Sequence, residues 1–436
     1  MDVELANSRS AKRFTQRYAE SVSQPKAQFF RKMGLDIIMA RREGISFYDA
    51  QGKRYINCHC NGGVFNLGHR NPEIIAALTE ALEKYDIGNH HLISAPKALL
   101  AEKLTDSMRV PGQKKDEEIR RVLFGSSGGE AIDLAIKIAR GYTRRRDVVS
   151  LVGGYHGHTG LAVKAGDAKF LDPFNIDREG FVQIAFEDVS QLEAALARKP
   201  AAIILETIPA TLGMPIISPG YMKKVRALCD AHGVVMILDE VQTGLGRTGK
   251  MWAYQHYDVS PDMVVTGKGL SGGIYPISAT CFRQKFESVF EKDPFIHIST
   301  FGGAEVGCYA ALRMLEIVND REFLASVTKL SDFFSRECRA LQNEFAALKE
   351  VRQLGLFMGL VFEDAASCLV FLKALISNGV FAVYAANDKR VLQFLPPLVT
   401  SEAEAAEIMR IVRQSLRDLG SIKNRLMKLV VSFMIG

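Results

Sequence analysis

The chain has 436 residues, more than one typical domain, so two lobes are expected. Hydrophobic residues make up 47% and charged residues 24%, and the net charge of +6 is spread along the chain with no aromatic-interleaved basic stripe, which argues against a nucleic-acid partner. No apolar run reaches the roughly 20 residues that a bilayer-spanning helix needs, so no membrane partner is expected, and seven scattered cysteines with no signal peptide suggest reduced thiols and a cytoplasmic location.

Residues 1–45 are mixed and polar, with a weak helical pattern. Residues 44–57 read as a hairpin, two short alternating runs around Asp49-Ala50-Gln51-Gly52. Cys58-His59-Cys60 carries metal-binding residue types. It has no second cluster at zinc-site spacing, so packing is expected and no metal site. From Asn71 onward helical periods alternate with short apolar runs. The runs are 121–124, 147–151, 201–205, 234–238, 263–265 and 277–281; the helical stretches lie near 72–84, 96–108, 129–141, 188–198 and 219–232. This alternation predicts a mostly parallel sheet covered by helices. A long helical stretch follows Gly303, then a smaller α+β pattern near 349–400 and a helix from about 402 to 420. The apolar residues 429–435 are too few to span a bilayer and are expected to pack on the fold or on a second subunit.

Three segments carry chemistry. In the first, the apolar run at 121–124 enters Gly125-Ser126-Ser127-Gly128-Gly129 and a helix starts at once. Small residues let backbone N–H groups approach an anion, and the helix N-terminus adds unpaired donors and a positive dipole end. The turn lacks the lysine of a P-loop and the spacing of a dinucleotide fingerprint, so a coenzyme phosphate is the better candidate. In the second, Gly153-Gly154-Tyr155-His156-Gly157-His158-Thr159 follows another apolar run, and Tyr155 can lie flat on a planar ring. In the third, two buried-strand runs end on single charged groups in Gly-rich turns: Asp239, and Lys268 twenty-nine residues later. Ligands in open α/β sheets bind beyond the carboxyl ends of strands. A lysine and a carboxylate there match the needs of pyridoxal 5'-phosphate (PLP), an amine for the imine and an anion for the pyridinium nitrogen.

Together these motifs resemble the class III aminotransferases, PLP enzymes of the aspartate-aminotransferase fold (fold type I), over nearly the whole chain. The resemblance runs through Asn66-Leu67-Gly68-His69-Arg70-Asn71-Pro72, the Ser127-Gly128-Gly129-Glu130-Ala131 cradle and Tyr155-His156-Gly157. It continues in Asp239-Glu240-Val241-Gln242-Thr243-Gly244, Gly267-Lys268-Gly269, Ser299-Thr300-Phe301-Gly302-Gly303 and Pro396-Pro397-Leu398. It implies an α/β fold: a mostly parallel, seven-stranded-type sheet in a large PLP domain (60–310), with a smaller α+β domain (311–436) that the N-terminal segment (1–59) joins. It implies that Lys268 carries the coenzyme as an imine and moves the substrate proton, and that Asp239 keeps the ring nitrogen protonated. It further implies that Gln242 bonds the ring hydroxyl, that Ser127, Gly128 and Gly129 hold the phosphate, and that His156 and Val241 contact the coenzyme. Glu206 matches the family's strand-end Glu in a supporting polar role. Thr300 would reach the neighbouring subunit's phosphate, which makes the protein a homodimer with sites at the interface.

The substrate positions depart from the family. Gln393 stands where many members have an Arg that grips the α-carboxylate, Thr211 where a Glu pairs with that Arg, and His158 where some have a further Arg. Loss of both members of a charged pair is coherent, since one charge left alone in a dry pocket costs several kcal/mol. An amine or unusual amino compound is therefore expected as donor, with a keto acid or other carbonyl compound as acceptor. Arg390 or His158 are the candidates for a replacement clamp. The alternatives are a single-substrate PLP enzyme of the same family (racemase or epimerase, aminomutase or lyase) and a non-catalytic scaffold.

Overall fold

A computed structural model describes residues 8–421 and Lys428. The apolar tail 429–435 lies outside the described residues.

The centre of the molecule is a seven-stranded sheet. Its strands in chain order are β1 (Ile119–Gly125), β2 (Val148–Leu151), β3 (Phe181–Ile184), β4 (Ala202–Glu206), β5 (Val235–Asp239), β6 (Met263–Thr266) and β7 (Ser278–Arg283). The spatial order is β1-β7-β6-β5-β4-β2-β3. The neighbouring pairs from β6 across to β3 are parallel; β7 runs antiparallel to both β6 and β1. β4, β5 and β6 are buried along their whole length, so they read as continuous apolar runs. Each buried Ile, Leu, Val or Met there contributes roughly 1.5–3 kcal/mol.

β3 answers to none of the apolar runs read from sequence. It sits at the sheet edge with only Phe181 and Ile184 buried, so it lacks a continuous apolar signature. The covering helices begin and end on local chemistry. Ser127 accepts the Glu130 N–H at 3.3 Å to cap Gly128–Thr143, which stops at Arg144 in the left-handed region. Ser218 caps Pro219–His232, which stops at left-handed Gly233. The long helical stretch after Gly303 is two helices, Glu305–Val318 and Arg321–Glu344. Asp320 breaks it by accepting the Phe323 N–H at 2.8 Å as the cap of the second.

A separate core lies on a smaller unit. Strands Leu348–Leu354, Phe357–Phe362, Val391–Phe394 and Val383–Tyr384 form a four-stranded sheet, flanked by helices Arg321–Glu344, Ala365–Ser377 and Glu402–Leu419. The hairpin at 46–57 joins this core rather than the first. Ile56 pairs in parallel with Val380, and Phe47, Ile56 and Cys58 are buried against residues of the C-terminal part. No helix among the described residues is long and apolar enough to cross a membrane.

Candidate active site

Strand register builds the site. Glu206 and Asp239 end β4 and β5 and are direct partners in the parallel ladder, while Asp239 also pairs with Val265 on β6. Two residues beyond β6 the chain turns through Lys268, whose φ of 43° is left-handed. The three charged groups thus meet at the carboxyl ends of adjacent strands.

They wall a cavity of about 320 Å³, within the range of cofactor pockets. Its floor holds Glu206, Asp239 and Lys268; its sides hold Tyr155, His156, His158, Val241 and Gln242; one end is Ser127, Gly128 and Gly129. Three of the residues singled out in the sequence lie elsewhere. Thr300 is exposed in the turn before helix Glu305–Val318. Thr211 and Gln393 do not line the cavity.

The polar groups are engaged. His156 Nδ1 donates to Asp239 Oδ2 at 2.8 Å, and the Val241 N–H donates to Asp239 Oδ1 at 3.0 Å. Glu206 accepts the N–H of Tyr155 at 2.9 Å and of Ala210 at 3.0 Å. Lys268 Nζ donates to Gln242 Oε1 at 3.2 Å. Burial holds the Lys268 ammonium below the usual lysine range, against the opposing pull of Asp239 and Glu206. Burial and the Asp239 charge raise Glu206 to about 7, although His156 and two backbone donors pull it down. Burial alone would depress His156, but its bond to Asp239 and that residue's charge outweigh this and raise it.

The glycine end is a cradle that side chains would fill. A Cβ on Gly129 would lie 2.7 Å from Thr159 Oγ1, and one on Gly128 would lie 3.1 Å from Val241 Cγ1. The N-terminus of Gly128–Thr143 opens there, so a small anion meets unpaired N–H groups. An anion cradle, a buried amine of lowered basicity and a carboxylate on the floor fit a pyridine ring bearing a phosphate.

Gln393 Nε2 donates to the Ala210 carbonyl at 3.1 Å, and Thr211 Oγ1 donates to the Gly153 carbonyl at 3.1 Å. Arg390 is exposed and held through two nitrogens by Asp388, both at 2.9 Å, away from the cavity. His158 lines the cavity with its ring 4.6 Å from Phe170 and 5.2 Å from Tyr155.

Sequence reasoning passed over Glu240. It is fully buried and takes four donors: Thr207 Oγ1 and Thr243 Oγ1, each at 2.7 Å, and the N–H groups of Ala253 at 3.0 Å and Tyr254 at 2.8 Å. Strand alternation was the available signal. If Asp239 faces the cavity, its neighbour faces the interior.

The class-III aminotransferase family model matches residues 30–416. A protein of Archaeoglobus fulgidus described as an uncharacterized aminotransferase is 50% identical over 387 residues, covering 89% of this chain and 90% of that one. Among solved structures, the ornithine aminotransferase of Toxoplasma gondii is 26% identical with a TM-score of 0.82, over 93% of this chain and 97% of that one. The taurine:2-oxoglutarate aminotransferase of Bifidobacterium kashiwanohense, in complex with PLP and glutamate, is 25% identical with a TM-score of 0.79, over 88% and 93%. The chain thus belongs to the class III aminotransferases, fold type I enzymes that use pyridoxal 5'-phosphate to move an amino group from an amine donor to a keto-acid acceptor.

Proposed function

We propose that this aminotransferase takes its amino group from a donor that lacks an α-carboxylate. One observation carries the reading. Gln393 and Thr211 are neutral and spend their donors on the protein's own carbonyls, Ala210 and Gly153. A carboxylate placed there finds no countercharge, and an uncompensated buried charge costs several kcal/mol. Taurine, named for the Bifidobacterium relative, is an amine of this kind. The acceptor keto acid still needs a basic partner. His158 is assigned that part, because among the described residues lining the cavity there is no arginine and His156 is committed to Asp239.

PLP, when bound, supplies a carbonyl to take the amino group and a ring to hold the electron pair released at the substrate carbon. Lys268 is assigned the covalent attachment and the proton transfer at that carbon; its lowered basicity favours the neutral, nucleophilic amine. Gln242 holds its Nζ and would bond the ring hydroxyl. Asp239, braced by His156, would hold the ring nitrogen protonated, with Glu206 supporting from the adjacent strand. Tyr155 and Val241 line the cavity and would pack against the ring, and Ser127, Gly128 and Gly129 would hold the phosphate.

We infer a homodimer in which Thr300 serves the partner's phosphate. Its exposure supports this, as does the exposed apolar group formed by Leu92, Ile93, Phe295, Ile296, Ile298 and Phe301, in which the His91 and Phe295 rings meet at 5.7 Å. A cytoplasmic location is proposed from seven free, buried cysteines.

The test of the donor assignment is a steady-state panel of amines and α-amino acids against pyruvate and 2-oxoglutarate. Amines without an α-carboxylate should give the higher kcat/KM. Gln393→Arg with Thr211→Glu should shift the preference toward α-carboxylates by about tenfold or more. Ornithine-type substrates among the best donors of the native enzyme would contradict the assignment.

A further inference from the structure

Thr159 lines the cavity and has no role in the function above. By position it is the N-cap of the short helix Gly160–Ala165. A threonine there ordinarily spends its hydroxyl on its own helix, accepting the N–H two or three residues on. Thr159 makes no such bond. The N–H three residues on, that of Ala162, is already held at 2.7 Å by Asp133 Oδ1, which reaches over from the helix Gly128–Thr143. Asp133 thus caps the short helix from outside. The Thr159 hydroxyl is left over, and among the described residues nothing bonds it.

That hydroxyl is turned to the cradle. A Cβ on Gly129 would meet Thr159 Oγ1 first, at 2.7 Å, with Cγ2 and Cβ behind it at 3.4 and 3.6 Å. The backbone leading to Thr159 is as close. Gly157 has a φ of 114°, and a Cβ there would lie 2.7 Å from Gly129 Cα and 3.3 Å from Gly129 N. The loop and the helix end touch because both positions are glycine. Thr159 is exposed, so a ligand in the cavity can reach its hydroxyl. The cradle itself offers an anion little charge. Among the described residues lining the cavity, Lys268 is the one lysine and there is no arginine, and Lys268 is held by Gln242. A phosphate dianion presents three strong acceptor oxygens. Ser127 spends a lone pair on the Glu130 N–H and keeps its hydrogen to donate. A second hydroxyl beside Gly129 adds a donor where charge is lacking.

We propose that Thr159 is a coenzyme-binding residue whose hydroxyl donates to a phosphate oxygen, joining from the cavity wall the set formed by Ser127, Gly128 and Gly129. This rests on the assignment of the phosphate to the glycine end, and it does not depend on the donor class.

The experiment titrates the full chain, freed of coenzyme, with PLP and with pyridoxal, which has the same ring and aldehyde and lacks the phosphate, and follows the absorbance of the bound form. Thr159→Val keeps the side chain's shape and removes the donor. A hydrogen bond to a charged oxygen is stronger than one between neutral groups, so PLP affinity should fall about tenfold or more. Pyridoxal affinity should stay within about twofold, because the lost bond goes to the phosphate alone. Thr159→Ser, which keeps the hydroxyl, should stay within about threefold of native for PLP. If Thr159→Val does not fold, as judged by its far-ultraviolet spectrum, Thr159→Ala takes its place. An equal loss of PLP and pyridoxal in a folded variant marks a packing role and overturns the proposal. Unchanged PLP affinity in Thr159→Val, with a loss in Gly129→Ala, also overturns it and leaves the cradle standing. Unchanged affinity in both variants overturns the glycine end as the phosphate site, and the proposal with it.

Discussion

At the residue scale, the placing of Lys268 and Asp239 was readable because strand-to-turn chemistry is local. An apolar run, one charge and flanking glycines are enough to expose Lys268 and Asp239 at a sheet end. What holds them was not readable. His156 lies 83 residues before Asp239 in the chain, and its 2.8 Å bond depends on the loop after β2 reaching the end of β5. The Lys268 assignment predicts that Lys268→Ala, folded as shown by an unchanged far-ultraviolet spectrum, loses the visible band of the bound coenzyme and at least about 10³-fold in turnover. Turnover within tenfold of native would remove the lysine from the chemistry.

At the element scale, periodicity located the helices it bounded, from 72–84 to 219–232 and at 402–420, to within about two residues, since an amphipathic face and its caps are local properties. It missed β3, an edge strand whose one ladder partner is β2, and it ran two helices together across Asn319-Asp320. The turn after β5 depends on Glu240. Glu240→Ala leaves two hydroxyls and two backbone N–H groups without their acceptor, and each unsatisfied group costs about 1–3 kcal/mol. The variant should lose at least about 3 kcal/mol in denaturant titration, far more than a surface substitution. At the cradle, Gly129→Ala would drive a Cβ to 2.7 Å from Thr159 Oγ1. Coenzyme affinity should fall about tenfold or more, measured by absorbance titration, while the helix stays folded because alanine is the better helix former.

At the scale of the whole molecule, the two cores part at Asn319-Asp320 on one side and between Cys58 and Leu67 on the other. From them we propose a large coenzyme domain and a small domain that the N-terminal segment joins, close to the division at 59 and 310 read from sequence. Stability should depend on pH through His69. It is buried, its Nε2 lies 3.0 Å from the Asn57 amide nitrogen, and burial with the Arg42 charge holds it down at about 4. Its folded pKa is below the unfolded value near 6.5, so the unfolded chain binds more protons between these values. Stability is therefore full above about pH 6.5 and falls as pH drops toward 4, by about 2–3 kcal/mol from this residue. Denaturant midpoints measured over that window should flatten in His69→Gln. The proposed dimer is checked by equilibrium sedimentation, where a fully active monomer would contradict a site completed by Thr300.

The sequence by itself determined the class of sheet, the coenzyme class and the placing of Lys268 and Asp239 at strand ends, because each is written in consecutive residues whose periodicity and turn preferences act locally. Only the tertiary structure decided which polar side chains are already spent. Gln393 and Thr211 come from two distant stretches, and their hydrogen bonds are fixed by the Ala210 and Gly153 carbonyls, which the folded chain alone brings to 3.1 Å. A residue's type states what it can donate or accept; which of those capacities remains for a substrate depends on which neighbours have already used the rest.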